Sequence, residues 1–329
     1  MADRELPVLH VPARDIPVPR SVSPEAQAFL AAGRFVEGIT MPPADDLEAW
    51  RAFVATGEEA MAPVVIGRAE ACGAAVEERR VADRCVYVIT PKGAEESQPR
   101  RFLDVHGGGL TGGAGLLCRA MGVVAAERMQ ATTWTVDYRM PPDHPYPAAL
   151  DDCVATYRTM LEEHRPEDIV IGGESAGGNL AAALVLRARD EGLPLPAALV
   201  LITPELDLTE SGDSFQTNLG VDSNLPGSLM QANLLYAGGH DLADPYLSPL
   251  FGDFSEGFPP TIVTAGTRDL FLSNAVRMHR ALRRAGVEAH LHIKEAAPHS
   301  AFFGMAPEDV EIDDEVLAFA RRHWSSIAT

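Results

Sequence analysis

The sequence predicts an α/β fold, a mostly parallel central sheet flanked by helices on both faces and covered by further helices. Three observations carry that expectation. From residue 75 onward, apolar runs of strand length alternate with helix-length amphipathic segments. One unit, DIVIGGESAGGNL at 168–180, passes from an apolar run through a glycine-flanked serine into an alanine- and leucine-rich helix. Asp269 and His299 follow the ends of two later apolar runs, and an open parallel sheet places its site beyond its strands' carboxyl ends.

Composition bounds the partners. The chain of 329 residues is 46% hydrophobic and carries 47 acidic against 27 basic residues, a formal charge of −20. Such a surface repels nucleic acid and anionic membranes. Cys72, Cys85, Cys118 and Cys153 form no C-x-x-C pair and read as isolated, reduced core residues. No basic segment followed by an apolar one opens the chain, and no apolar run is long enough to span a bilayer. The expectation is a cytoplasmic protein with no membrane insertion.

Taken in order, prolines at 7, 12, 17, 19 and 24 make the first stretch an arm without long regular structure. Ser23–Pro24 supplies an N-cap and first helical position for a short helix through Ala32, stopped by Gly33. A second helix is expected to open at Asp45, with Glu48 at capping-box distance and Leu47, Trp50 and Val54 on one face. Both precede any strand and are placed to cover the domain. VEERRVA and CVYVITP predict an antiparallel pair, and RFLDVH a buried strand ending at the glycine-rich loop 107–115.

A helix over Leu116 to Met129 and the strand TTWTVDYR follow, then a proline-rich connection. Leu150, Val154, Tyr157 and Leu161 share one face of a helix over 148–164. After the serine-bearing unit come the strand ALVLITP and an irregular stretch from 208 to about 260, rich in Gly, Asn, Asp and Pro. So long an insertion in a compact domain is expected to be functional. PTIVTAGTRDL is a strand leading to a helix capped at Ser273 and stopped by Gly286. EAHLHIKEA is the last strand, followed by a helix over 307–324 with acids at its start and Arg321 and Arg322 at its end.

Strand, Gly-x-Ser-x-Gly, helix is the context of a nucleophile elbow, a turn so tight that only Gly173 and Gly177 fit around Ser175. The hydroxyl would stand at a helix N-terminus, where N–H groups and the dipole favour a developing anion. A serine needs a base, and the base an orienting carboxylate. In the chain order Ser, Asp, His, the residues that serve are Asp269 in TAGTRDLF and His299 in EAAPHSAFF. His290 and His292 alternate along a strand with no third ligand nearby and read as strand residues. The HGGG run at 106–109 lets the N–H groups of Gly108 and Gly109, with that of Ala176, face a developing oxyanion. His106 then fixes the loop rather than acting as a second base. The same loop admits a rival reading, because Gly107, Gly109 and Gly112 space as G-x-G-x-x-G with Asp137 ending the next strand. That dinucleotide fingerprint leaves Ser175, Asp269 and His299 unexplained.

The motifs HGGG, DYRMPPDHPYPAALDDC at 137–153, GESAGGNL at 173–180, TPELDLT at 203–209, DPYLSPL at 244–250, AGTRD at 265–269 and His299 together resemble the hormone-sensitive-lipase family of α/β-hydrolases, the bacterial GDSAG-type esterases. They span most of the chain after Arg100. The resemblance implies Ser175 as nucleophile, His299 as base, Asp269 as its orienting acid, and Gly108, Gly109 and Ala176 as oxyanion hole. It implies a helical cap from residues 1–55 and 209–245 over a catalytic domain of 56–208 and 246–329. His106, Leu110, Glu174 and Leu206 are the further candidates for substrate contact. Leu110 stands where an aromatic residue often follows HGGG, and Glu174 replaces the usual aspartate. Arg139 reads as a structural salt-bridge partner of a nearby acid.

The resulting expectation is a serine carboxylesterase acting on small, short-acyl esters through an acyl-enzyme, with no metal or organic cofactor. Alternatives are a lactone, amide or carbamate hydrolase on the same residues, and a receptor-like binder without turnover. Family members are often dimers, and the resemblance extends a homodimer to this chain as one possible assembly, which the sequence itself does not set.

Overall fold

The computed structural model describes residues 8–325 apart from 34, 35, 37, 95–97 and 226, so Pro7 of the expected arm lies outside the described residues. Helix α1 (Pro24–Ala31) opens as its sequence dictates: Ser23 caps it by accepting from Ala26 N, and Pro24 takes the first turn. Ser23 also donates its N–H and hydroxyl to Glu308, tying α1 to the far end of the chain.

Helix α2 (Leu47–Cys72) begins one residue later than expected. Asp46, not Asp45, is the cap, its carboxylate accepting from Ala49 N at 3.0 Å. Glu48 thereby falls one position short of where a capping box needs its acid. Trp50 is fully buried while Leu47 is 41% exposed, so the apolar face is narrower than the spacing suggested. The helix continues past residue 55 to a left-handed Gly73, and the expected boundary between cover and sheet domain lies inside it.

Strands β1 (Ala75–Val81), β2 (Arg84–Thr90), β3 (Arg101–Val105) and β4 (Thr132–Val136) carry helix α3 (Leu116–Met129) between the last two. Helix α4 (Ala148–Glu163) leads to β5 (Ile169–Glu174), α5 (Ala176–Asp190) and β6 (Ala198–Ile202). The long stretch that follows contains short helices α6 (Ser214–Thr217) and α7 (Met230–Ala237). The chain closes with β7 (Thr261–Gly266), α8 (Leu272–Arg284), β8 (Ala289–Lys294) and α9 (Pro307–His323). Among the described residues these strands form one eight-stranded sheet in the order β1-β2-β4-β3-β5-β6-β7-β8. β1 pairs with β2, and β2 with β4, antiparallel; every other pair is parallel.

Alternation along the strands decides which helices cover which face. Leu103, Ile171, Leu199 and Val263 pack on one side with Leu150 and Tyr157 of α4, Leu184 of α5 and Met278 of α8. Phe102, Val170, Val200 and Ile262 pack on the other with Met129 of α3 and Phe319 of α9. Both faces are dry, which is why the central strands are nearly continuous Val, Ile and Leu.

The start of α8 differs from expectation. Phe271 occupies the cap position and Ser273 does not cap. Ser273 Oγ instead accepts from Ser214 N, and Ser214 Oγ accepts from Ser273 N, both at 2.9 Å, sewing α6 to α8. Arg139 pairs with buried Asp152 at 2.8 Å, as its motif suggested. All four cysteines are free. No helix among the described residues is long and apolar enough to cross a membrane.

Candidate active site

The parallel core sends the loops after β3, β5, β7 and β8 to one edge, and the site is assembled from them. Ser175 sits between β5 and α5 at φ 59°, ψ −121°. A left-handed φ on a residue with a Cβ costs about 1–3 kcal/mol and persists only where the surroundings enforce it. Here they do. A Cβ on Gly177 would lie 1.9 Å from Val105 O, and one on Gly173 would lie 2.4 Å from Gly177 O. Ser175 N donates to Ile202 O at 2.9 Å, which binds the turn to β6.

His299, from the loop after β8, is buried and places Nε2 2.8 Å from Ser175 Oγ. Its Nδ1 lies 3.3 Å from Oδ1 of fully buried Asp269, from the loop after β7. A carboxylate only accepts, so Nδ1 carries the proton, Nε2 offers its lone pair, and the serine hydroxyl donates to it. Burial would lower the His299 pKa, but the charge and hydrogen bond of Asp269, with Asp222 and Glu174 adding to them, leave it raised above its ordinary value. Asp269 Oδ1 also accepts from Phe271 N at 2.8 Å, fixing the carboxylate.

A second acid, absent from the sequence reading, stands behind this pair. Asp222 of the long insertion accepts His299 N through both oxygens and Leu270 N through Oδ2 at 2.8 Å. Asn224 donates to His299 O at 2.6 Å, and Asn218 to Asp269 O at 2.8 Å. The insertion thus clamps the backbones of both loops. No motif surrounds Asp222; the one available signal was the cluster of Asp and Asn in a stretch too long to be a mere connection.

The loop after β3 turns back on itself. Gly108 O accepts from Gly112 N at 3.0 Å, and a Cβ on Gly108, at φ +130°, would lie 2.0 Å from Gly112 O. Gly108, Gly109 and Ala176 donate their N–H groups to no acceptor among the described residues. Donors of this kind suit an oxyanion. Glu58 of α2 braces the loop, Oε1 accepting from Gly113 N at 2.8 Å and Ala114 N at 3.3 Å. The glycines are therefore needed by the loop's own fold. Asp137 Oδ1 accepts from Gly115 N rather than standing open for a ribose, which removes the dinucleotide reading.

The remaining candidates are dispersed. His106 is buried, stacks on Tyr138 with centroids 4.1 Å apart, and donates from Nδ1 to Gly107 O at 2.7 Å. Burial pushes its pKa down to about 4, so it is neutral. Leu110 and Leu206 are packed in the main core with no exposed surface, so neither offers one to a ligand in this conformation. Glu174 points away toward Arg128, 3.7 Å distant, and lines a cavity of about 60 Å³ with Arg128, Lys294, Ser300, Asp309 and Asp313. That cavity touches neither Ser175 nor His299. One group of metal-ligating side chains lies together among the described residues, His106, Cys118 and Asp137.

Comparison with known proteins bears on the fold and the family. Residues 102–303 match a family model described as alpha/beta hydrolase fold. An esterase of Acinetobacter venetianus is 34% identical over 203 residues, 61% of this chain and 67% of the relative. An acetyl-hydrolase of Streptomyces hygroscopicus is 34% identical over 189 residues, covering 57% and 63%. The alignments thus span about two thirds of these curated relatives. The crystal structure of esterase E25 is 32% identical, with a TM-score of 0.85 over 97% of this chain and 99% of that one. By sequence match and by fold alike, the chain belongs to the alpha/beta hydrolase fold family.

Proposed function

We propose that the chain is a carboxylic ester hydrolase, a member of the hormone-sensitive-lipase group, that works on small, short-acyl esters through an acyl-enzyme on Ser175. The observation that carries this reading is the unbroken run from Asp269 through His299 to Ser175, 3.3 and 2.8 Å. Ser175 Oγ attacks the ester carbonyl while His299 Nε2 takes its proton, and Asp269 holds the imidazole in the tautomer that permits this. The carbonyl oxygen becomes an anion facing Gly108, Gly109 and Ala176. His299 then hands the proton to the departing alcohol, and water repeats the cycle to release the acid. The relatives named esterase and acetyl-hydrolase favour ester over amide chemistry and a short acyl group. A receptor-like reading is disfavoured, because the nucleophile, base and acid are all retained and in contact.

The helices at the N-terminus and the insertion 209–245 are proposed as the cap, with α2 included to its end. Four free cysteines suit a reducing cytoplasm, and a homodimer is the proposed assembly. The decisive experiment compares wild type with Ser175→Ala on p-nitrophenyl esters of increasing acyl length. A loss of about 10⁴-fold or more supports the acyl-enzyme. Undiminished turnover by the mutant removes it.

A further inference from the structure

A cluster unused by this chemistry lies against the oxyanion loop. His106 follows β3, Cys118 is in the first turn of α3, and Asp137 follows β4. One ring nitrogen, the thiol sulfur and a carboxylate oxygen lie within 4.8 Å of one another. His106 and Cys118 are buried and Asp137 is half-buried. Because Gly107 O can only accept, Nδ1 of His106 is the donor at 2.7 Å. Nε2 keeps its lone pair, buried and with no hydrogen-bond partner among the described residues. A buried acceptor of this kind normally finds a partner, and its lack of one calls for a reason.

The surroundings are those of a metal ligand set. A metal-binding histidine typically donates its second nitrogen's proton to a carbonyl or carboxylate, and a ligating carboxylate is itself held by a hydrogen bond. His106 donates to Gly107 O, and Asp137 accepts from Gly115 N at 3.0 Å. Thiol, imidazole and carboxylate together suit a tetrahedral, thiophilic cation with water in the fourth position, and the thiol disfavours Mg²⁺ and Ca²⁺.

We propose that His106, Cys118 and Asp137 bind one divalent cation of the Zn²⁺ class, and that its binding switches off the ester hydrolysis proposed above. Binding forms a metal–sulfur bond and releases the Cys118 proton to water; no electron is transferred. With bonds of about 2.0–2.3 Å, ligand atoms of a tetrahedral shell stand roughly 3.5 Å apart, so these side chains must draw together by about 1 Å. His106 precedes Gly107 and Gly108 and is bonded to the first of them. The loop folds back closely here, since a Cβ on Gly113 would lie 2.9 Å from His106 Nδ1 and 2.8 Å from Gly107 O. A shift of the imidazole therefore displaces the donors at Gly108 and Gly109.

The test uses the whole chain and two metals. Co²⁺ reports the site without reference to activity: wild type should bind one equivalent with a thiolate-to-metal charge-transfer band. Cys118→Ala should lose the band, and Asp137→Asn should bind at least tenfold more weakly. Zn²⁺ should lower kcat on p-nitrophenyl acetate reversibly by chelator, Mg²⁺ should not, and each variant's residual rate is compared with its own metal-free rate. No charge-transfer band in wild type overturns the site. Zn²⁺ inhibition of equal strength in Cys118→Ala assigns the effect to other residues and overturns the switch. If Cys118→Ala does not fold, Asp137→Asn decides in the same way. If the chain hydrolyses no ester, the Co²⁺ spectrum still judges the site on its own.

Discussion

Asp222 holds the backbone of His299 from behind, its two carboxylate oxygens 3.2 and 3.3 Å from the His299 nitrogen, while Oδ2 also takes Leu270 N at 2.8 Å. One side chain thereby fixes the spacing between the loop of His299 and the loop of Asp269. Asp222→Asn is expected to lower kcat about 10–100-fold with a smaller change in KM, since a displacement near 1 Å at a reacting group carries that cost. The charge of Asp222 also helps raise the His299 pKa. The variant's acid limb should therefore move to lower pH. A kcat loss with an unmoved limb would show Asp222 to be structural only.

In the proposed reaction His299 must be neutral to accept the serine proton. Its pKa is raised above the ordinary histidine value, burial opposing the shift and Asp269 leading the groups that produce it. Activity should accordingly be full at alkaline pH and fall as pH drops through a limb above about 6.5. kcat/KM for p-nitrophenyl acetate measured from pH 5 to 9 reads it directly. A rate unchanged down to pH 5 would sink the assignment of the base.

What the sequence made legible and what it hid divide along physical lines. Residues 116–129 were bounded to the residue, because a glycine-rich loop precedes them and the next strand follows almost at once. Ser175 was legible because a strained turn dictates its neighbours. The meeting of Asp269 and His299 with Ser175 was legible because a parallel sheet sends the loops after its strands to one edge. Asp222 was hidden, since it bonds to residues 48 and 77 positions away, and neither period nor motif encodes such a separation. Asp45 and Asp46 are adjacent acids, and tertiary placement chose the second as cap. Ser273 had the sequence signature of a cap and spent its hydroxyl on Ser214 instead.

Glu205 is fully buried in the segment after β6, with Asn233 beside its carboxyl. Burial, helped by the charge of Glu210, raises its pKa from 4.5 to about 8. The folded state therefore holds the proton more tightly than the unfolded chain. Its ionisation costs nothing below pH 4.5 and opposes folding increasingly between there and pH 8. Glu205→Gln keeps the shape and removes the charge. It should raise Tm by roughly 3 °C or more near pH 8 and leave it unchanged near pH 4.5. Equal Tm differences at both pH values would mean that the carboxyl is not the titrating group.

Glu58 links helix α2 to the glycine-rich loop proposed as the oxyanion hole, its Oε1 taking Gly113 N and Ala114 N. No other side-chain bond to those two N–H groups occurs among the described residues. Gly113 packs on His106 and on the carbonyl of Gly107, so freeing it loosens the donors at Gly108 and Gly109. A donor lost from such a hole costs about 10²–10³ in kcat, and a loosened one should cost less. Glu58→Ala is expected to lower kcat about 3–30-fold while destabilising the fold by only about 1 kcal/mol, because the carboxylate is partly solvated. Steady-state kinetics and thermal melts on the same preparation separate the two effects. A variant with lowered Tm but unchanged kcat would show that α2 supports the fold without shaping the hole.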